Sequence, residues 1–184
     1  MADVFDAEVP DAWRDRLVAL WFATPHLDWQ VLTKRATLMR DYLAAWRGPG
    51  GERWSLEEEV PPNVWLGVSV ENRACRHRID TLRQIPACTR FLSLEPLLED
   101  LGHLDLRGIH WAILGGESGA AARTSDLAWY REIITACRRQ AVAVFVKQLG
   151  TMPQNNTVPL LMYTGKGGDI EEWPEDLRIR EFPR

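Results

Sequence analysis

Residues 109–119 read IHWAILGGESG, and the fold is predicted most directly from this stretch. It begins as an unbroken apolar run, which is typical of a strand buried on both faces. It ends in two glycines, a carboxylate and a hydroxyl. Because glycine has no side chain to obstruct a ligand, we expect Gly115 and Gly116 to let the backbone approach one closely. The simpler interpretation is a tight turn in which Glu117 is only hydrated.

The composition is that of an ordinary globular protein, with 184 residues that are 46% hydrophobic and 26% charged. The net charge is −4 and the basic residues are scattered, so nothing indicates a dedicated nucleic-acid binder. No apolar run approaches the roughly 18 residues of a membrane span, and no signal peptide is recognisable, so we expect a cytoplasmic protein. Cys75, Cys88 and Cys137 lack metal-binding spacing, and no metal site is predicted.

Apolar runs and helical spacings alternate along the chain. Strands are predicted at 29–32, 64–68, 90–92, 109–115 and 142–146. The first helix is predicted to turn Trp13, Leu17, Leu20 and Trp21 towards the core. The link before residue 109 contains two glycines and is expected to form at most a turn of helix. Alternating strands and helices predict an α/β fold with parallel pairing. A doubly wound sheet and a closed or partial (βα) barrel both remain open.

Polar residues follow each predicted strand directly. The carboxyl ends of parallel strands meet at one edge, where α/β proteins place their sites. We therefore expect the following residues to converge: Thr33, Lys34, Arg35, Ser69, Glu71, Asn72, Ser93, Glu95, Glu117, Ser118, Lys147 and Gln148. So many charges are stable together only if they pair or meet a ligand. The alternatives are a structural ion-pair network and a bound ligand.

The mixture of charges favours an anionic or zwitterionic ligand. Lys34, Arg35 and Lys147 offer positive charge to a phosphate or carboxylate, while Glu95 and Glu117 suit an amine or ribose hydroxyls. The four histidines fall outside the predicted strand ends, so histidine general-base chemistry is not expected.

Five ordered blocks also carry a resemblance to a known family. They are LTKR at 32–35, NVWLGVS at 63–69, FLSLEPLL at 91–98, GGESG at 115–119 with Arg123, and FVKQLG at 145–150. The blocks resemble a phage-associated bacterial family of unknown function, which is itself similar to radical S-adenosylmethionine barrel enzymes. The resemblance covers nearly the whole chain. It implies a partial TIM-type barrel in residues 1–150, a C-terminal arm packed on it in residues 151–184, and S-adenosylmethionine with a [4Fe–4S] cluster as cofactors.

The resemblance also implies roles for individual residues. It places Glu95 and Glu117 on the S-adenosylmethionine side, and Lys34 and Lys147 facing the cluster or substrate; we expect these four residues to be the catalytic ones. Cofactor contacts fall to Ser69, Glu71, Ser93, Gly115, Gly116, Ser118 and Arg123. Substrate contacts fall to Asp3, Thr33, Arg35, Asn72 and Gln148. The cluster, however, needs three thiolates close together, and this sequence lacks them.

The first residues predict an incomplete sheet. Residues 1–5 resemble the end of the family's second strand, so we expect the first barrel unit to be absent and the chain to begin in mid-motif. A sheet without its first strand exposes an unpaired edge, which favours either a homodimer through that edge or poor solubility.

Three hypotheses follow. The leading one is a radical-SAM-like barrel that is inactive as the 184-residue chain. The second is a cluster-free module that binds a nucleotide-like small molecule at the strand ends. The third is a barrel enzyme that uses Glu117 or Glu95 as acid/base, with Lys147 as electrostatic stabiliser.

Overall fold

The structure is a computed structural model and describes residues 3–46 and 60–183. Its helices are α1 Asp11–Ala23, α2 Ala36–Ala45, α3 His77–Arg83 and α4 Leu127–Arg139. Its strands are β1 Trp29–Thr33, β2 Val60–Ser69, β3 Ala87–Leu94, β4 Trp111–Gly115, β5 Ser125–Asp126, β6 Ala143–Gln148, β7 Pro153–Asn155 and β8 Val158–Pro159. Short 3-10 helices lie at Arg73–Cys75, Ile170–Glu172 and Glu175–Leu177. No helix in this part of the chain is both long and apolar enough to cross a membrane.

Five strands form one parallel sheet in the order β1-β2-β3-β4-β6. This confirms the predicted α/β fold. The spatial order follows the chain order and never reverses. A doubly wound sheet reverses at a switch point and carries helices on both faces. The described sheet therefore does not have that arrangement.

One face of the sheet, here called the helical face, packs against the helices. A register row on this face consists of Val68, Leu92, Ala112 and Val144, each 1% exposed or less. These side chains share one core with the buried stripes of all four helices. Side chains alternate along a strand, so the intervening residues point to the opposite face, here called the open face.

Aromatic rings cover part of the open face. We call the rings of Trp65, Phe91, Trp111, Phe145 and Phe182 the aromatic floor, since neighbouring centroids lie 5.3–5.9 Å apart. A Cβ on Gly67 would come within 2.4 Å of the Phe91 ring. The absence of a side chain at Gly67 thus lets Phe91 lie across β2.

Helix α1 buries a different stripe from the one predicted. Arg14, Val18 and Trp21 are buried, whereas Trp13 is 62% and Leu20 48% exposed. The prediction was wrong for these two residues because both stripes have helical spacing. Periodicity alone does not tell which of two adjacent stripes meets the core.

Residues 95–110, between β3 and β4, contain no helix. They cover the helical face with the buried side chains of Leu97, Leu101, Leu104 and Leu106 instead. The short link with its two glycines, Gly102 and Gly108, was the reason that a full helix was not expected there.

The two edges of the sheet differ. Residues 179–181 pair antiparallel with β6, where Val146 N donates to Ile179 O at 2.8 Å and Glu181 N to Val144 O at 2.7 Å. At the other edge, no described segment pairs with the outer side of β1. Val4 and Phe5 lie in a turn rather than in a strand. The division of the chain at residue 150 stays a prediction.

Candidate functional site

Several predicted site residues gather on the open face, at the carboxyl end of the sheet. Because side chains alternate along a strand, Trp65, Gly67, Ser69 and Glu71 all lie on the open face. The register pairs Ser69 of β2 with Ser93 of β3. One ion pair joins the ends of the neighbouring strands β1 and β2, and a second joins the ends of β3 and β6 across β4. We call this group the open-face cluster; it consists of Lys34, Ser69, Glu71, Ser93, Glu95 and Lys147.

Two ion pairs frame the open-face cluster. Lys34 pairs with Glu71, which also accepts from Arg78 at 3.0 Å. Lys147 Nζ lies 2.9 Å from Glu95 Oε2. The glutamate side chains are only 8% and 16% exposed, while the lysines are 50% and 57% exposed. The ammonium groups therefore remain accessible to a bound molecule.

Glu71 is held as a carboxylate. Burial opposes its ionisation, but the hydrogen bond from Lys34 and the charges of Lys34 and Arg78 outweigh burial and lower its pKa. Arg78 comes from α3 and also donates to the Ser69 carbonyl oxygen at 2.7 Å. It was missed by sequence reasoning, because nothing in the pattern of α3 distinguishes it from a solvated arginine.

The two glycines of GGES make room for other parts of the protein. A Cβ on Gly115 would lie 2.9 Å from Cγ and Oε2 of Glu95, so Glu95 crosses β4 above Gly115 to reach Lys147. A Cβ on Gly116 would lie 2.1 Å from the Leu149 carbonyl oxygen. Close packing against a side chain at Gly115 and against backbone at Gly116 leaves no room for a Cβ at either position.

The Ser69 and Ser93 side chains lie side by side between the two ion pairs. Their residues are 4% and 5% exposed. No hydrogen bond joins either hydroxyl to another residue within 3–46 and 60–183. Neither hydroxyl oxygen is among the fully buried side-chain atoms that lack a partner, so each reaches the solvent and can bond to water or to a ligand.

An open groove of about 1220 Å³ reaches this cluster. Lys34 and Ser69 line one end of it, and the rest runs along β1. The aromatic floor lies below the cluster on the same face. Its rings could have been found by reading the strands two residues at a time, since Phe91 precedes Ser93 and Phe145 precedes Lys147 by two positions.

Glu117 lies apart from the cluster, in the loop after β4. Arg123 donates to both of its oxygens, at 2.8 and 2.7 Å, and its backbone N donates at 2.9 Å. These contacts lower the pKa of Glu117 to about 2. A carboxylate this acidic is a weak proton acceptor and holds no proton to donate near neutral pH. Ser118 is exposed in the same loop.

Asp3, Thr33 and Arg35 form a separate group at the end of β1. The Asp3 carboxylate accepts from Thr33 Oγ1 at 2.8 Å and from Lys34 N at 3.0 Å. Arg35 Nη2 donates to Asp6 at 2.6 Å. These contacts fasten the first described residues to the strand.

The two remaining predicted substrate residues also hold loops. Asn72 accepts from Cys75 N at 3.2 Å and caps the first 3-10 helix. Gln148 Nε2 donates to the Gly116 carbonyl oxygen at 2.9 Å. Sequence reasoning could place them at strand ends but could not tell that their polar atoms are used by neighbouring backbone.

The thiols of this chain do not fit an iron–sulfur cluster. Cys75 lies in a 3-10 helix, Cys88 is exposed in β3, and Cys137 is buried in α4. Across the described ranges, no three His, Cys, Asp or Glu side chains are placed to hold a metal ion together. A [4Fe–4S] cluster needs three close thiolates.

No curated protein and no solved structure gives a significant match to the chain. One family model does match, over residues 1–174. That range includes the eight strands of the described residues and the whole open-face cluster. The chain therefore belongs to the family described as "Protein of unknown function (DUF5131)".

Proposed function

We propose that the protein binds a small nucleotide-like ligand, anionic or zwitterionic, at the open-face cluster. The observation that carries this proposal is the pair of nearly buried hydroxyls of Ser69 and Ser93. They have no partner in the described chain, and they lie between two ion pairs whose lysines are half exposed.

The charges of the site favour an anionic group on the ligand. The site combines three cations with two carboxylates, so its net charge is +1. The cations are Lys34, Arg78 and Lys147, and the carboxylates are Glu71 and Glu95. A phosphate or carboxylate is expected against the lysine ammonium groups. Ribose or amine groups are expected at the serine hydroxyls, and a planar or apolar part towards the aromatic floor.

A partial TIM-type barrel of the radical-SAM-like kind accounts for this arrangement. Its support is the chain-order sheet, the helices on one face and polar groups at the carboxyl ends of the strands. S-adenosylmethionine is then the first ligand to test, because it joins a zwitterionic amino acid to adenosine; when bound, it supplies a methyl or adenosyl group. Membership of a phage-associated family stays part of this proposal.

The third hypothesis, a glutamate acid/base enzyme, has weaker support. The low pKa of Glu117 makes it unsuited to general acid chemistry. Glu95 is engaged by Lys147. We therefore propose ligand binding rather than glutamate catalysis.

Isothermal titration calorimetry tests the proposal. S-adenosylmethionine, S-adenosylhomocysteine, ATP and uncharged adenosine are titrated into the wild type, into Lys147→Met and into the control Lys166→Met. Lys166 is exposed and lies outside the cluster. We expect at least one charged ligand to bind more tightly than adenosine. Loss of one charge-assisted hydrogen bond in Lys147→Met weakens affinity by roughly tenfold.

The control variant is expected to bind like the wild type. Circular dichroism verifies that both variants are folded. The proposal is refuted if none of the four compounds binds the wild type, or if both lysine variants bind with unchanged affinity.

A further inference from the structure

The outer edge of β1 has no strand beside it among residues 3–46 and 60–183. Within the described residues, no backbone group from another segment pairs with this side of Trp29–Thr33, whereas residues 179–181 cover the opposite edge of the sheet. An exposed edge of this kind is a template for another strand.

A groove follows this edge. It is lined by all seven consecutive residues from 29 to 35. Because alternate side chains of a strand point to opposite faces, a cavity that touches every one of them must run along the backbone edge. Residues 3–10 and the first two turns of α1 form the other wall.

Helix α1 adds an apolar stripe beside the edge. Trp13, Leu17 and Leu20 occupy positions i, i+4 and i+7, which lie on one side of a helix. Trp13 and Leu20 are 62% and 48% exposed, and Leu17 is half-buried. Both Trp13 and Leu17 line the groove along β1.

The sequence of the edge is self-complementary. Residues 28–34 read DWQVLTK. If two copies pair antiparallel about a two-fold axis at Val31, Asp28 of each chain lies opposite Lys34 of the other. Both side chains are exposed in the single chain, and Lys34, whose side chain is 50% exposed, also pairs with Glu71. Opposite charges placed across an antiparallel pair stabilise it, and like charges destabilise it.

We propose that a second copy of this chain adds its β1 to this edge, so that two five-stranded sheets join through a two-fold interface. The axis leaves the helical faces on the same side, which brings the two α1 stripes together and extends the contact beyond the strands. The groove also reaches Lys34 and Ser69, so the partner strand borders the candidate site.

Size-exclusion chromatography with light scattering tests this proposal on the full chain. We expect a wild-type dimer of twice 21.1 kDa that dissociates on dilution. In Asp28→Lys, two attractive pairs become repulsive, and the dimer Kd rises by at least about tenfold. Glu175→Lys makes the same charge change at an exposed residue outside the groove and is expected to leave the Kd unchanged.

Swapping the charges of residues 28 and 34 between two variant chains tests whether these two positions face each other. Lys34→Asp alone is also expected to weaken the dimer. When the Asp28→Lys and Lys34→Asp proteins are mixed, both junctions become attractive, so a heterodimer forms with near wild-type Kd. A wild type that stays monomeric overturns the proposal, and so does a dimer that all the variants retain.

Hydrogen exchange distinguishes a partner strand at this edge from a segment of the same chain. We expect the outward amides within residues 29–33 to be protected in the dimer and to exchange fast after dilution. Protection that does not depend on concentration would mean that the chain covers its own edge, and would also overturn the proposal.

Discussion

The adjacent glycines Gly115 and Gly116 are expected to respond differently to the same substitution. A Cβ on Gly115 meets the flexible side chain of Glu95 at 2.9 Å, so Glu95 can rotate away. A Cβ on Gly116 meets the carbonyl oxygen of Leu149 at 2.1 Å and its carbon at 2.7 Å. This backbone is fixed by the Gly116 N to Gln148 O bond of 3.1 Å. The first collision perturbs the site, and the second perturbs the fold.

The free energies of unfolding follow from these contacts. Gly115→Ala costs about 1 kcal/mol for the displaced Glu95 rotamer and about 0–1 kcal/mol for its partly exposed ion pair with Lys147. The reduced entropy of the unfolded chain offsets about 0.4–1 kcal/mol of this. The net loss is therefore on the order of 1 kcal/mol. Gly116→Ala overpacks against backbone and costs about 3 kcal/mol or more.

Urea unfolding followed by circular dichroism measures both free energies, and calorimetric titration measures the affinity for the ligand identified in the wild type. Gly115→Ala should remain folded with affinity lowered by roughly tenfold, since Glu95 no longer positions Lys147. The reasoning is refuted if Gly116→Ala is as stable as the wild type. It is equally refuted if Gly115→Ala binds the ligand normally.

Three further predictions concern single groups. In Gly67→Ala, the new methyl collides with the Phe91 ring at 2.4 Å, so the near-ultraviolet circular dichroism of the aromatic floor changes while the far-ultraviolet signal persists. Burial raises the pKa of Cys137 to about 12, so this thiol should resist an aromatic disulfide reagent at pH 8 until urea is added; reaction in the native protein would contradict its burial. Arg123 lowers the pKa of Glu117 to about 2, whereas a glutamate in an unfolded chain has a pKa of roughly 4.3. The ion pair between them therefore stabilises the fold above pH 4.3, and this stabilisation is lost as the pH falls towards 2. Carboxyl NMR titration should show that midpoint and its rise in Arg123→Gln, and an unchanged midpoint would exclude Arg123 as the cause.

The strands were predictable because buried parallel strands are continuous apolar runs. The runs that end at Val68, Leu92 and Val146 all became strands of one parallel sheet. Ser69 and Ser93 could be placed together because each directly follows a predicted strand, and the carboxyl ends of parallel strands meet at one edge.

Pairing inside the site was not predictable, because it depends on distances between strands that are remote in sequence. Lys147 and Glu95 meet across β4 because Gly115, which lies between them, has no side chain. Arg78 joins Glu71 from a helix. That Gly115 and Gly116 contact a ligand stays a prediction, while protein atoms occupy the positions that their side chains would take.

The central claim is that the open-face cluster binds a small charged nucleotide-like ligand. Chemical-shift mapping of the labelled protein with S-adenosylhomocysteine tests it most directly. The account predicts saturable shifts at Ser69 and Ser93, at the Lys147 ammonium group and at the Trp65 indole, with Lys166 unchanged. Absence of shifts at saturating ligand, or shifts confined to residues outside the open face, would contradict it.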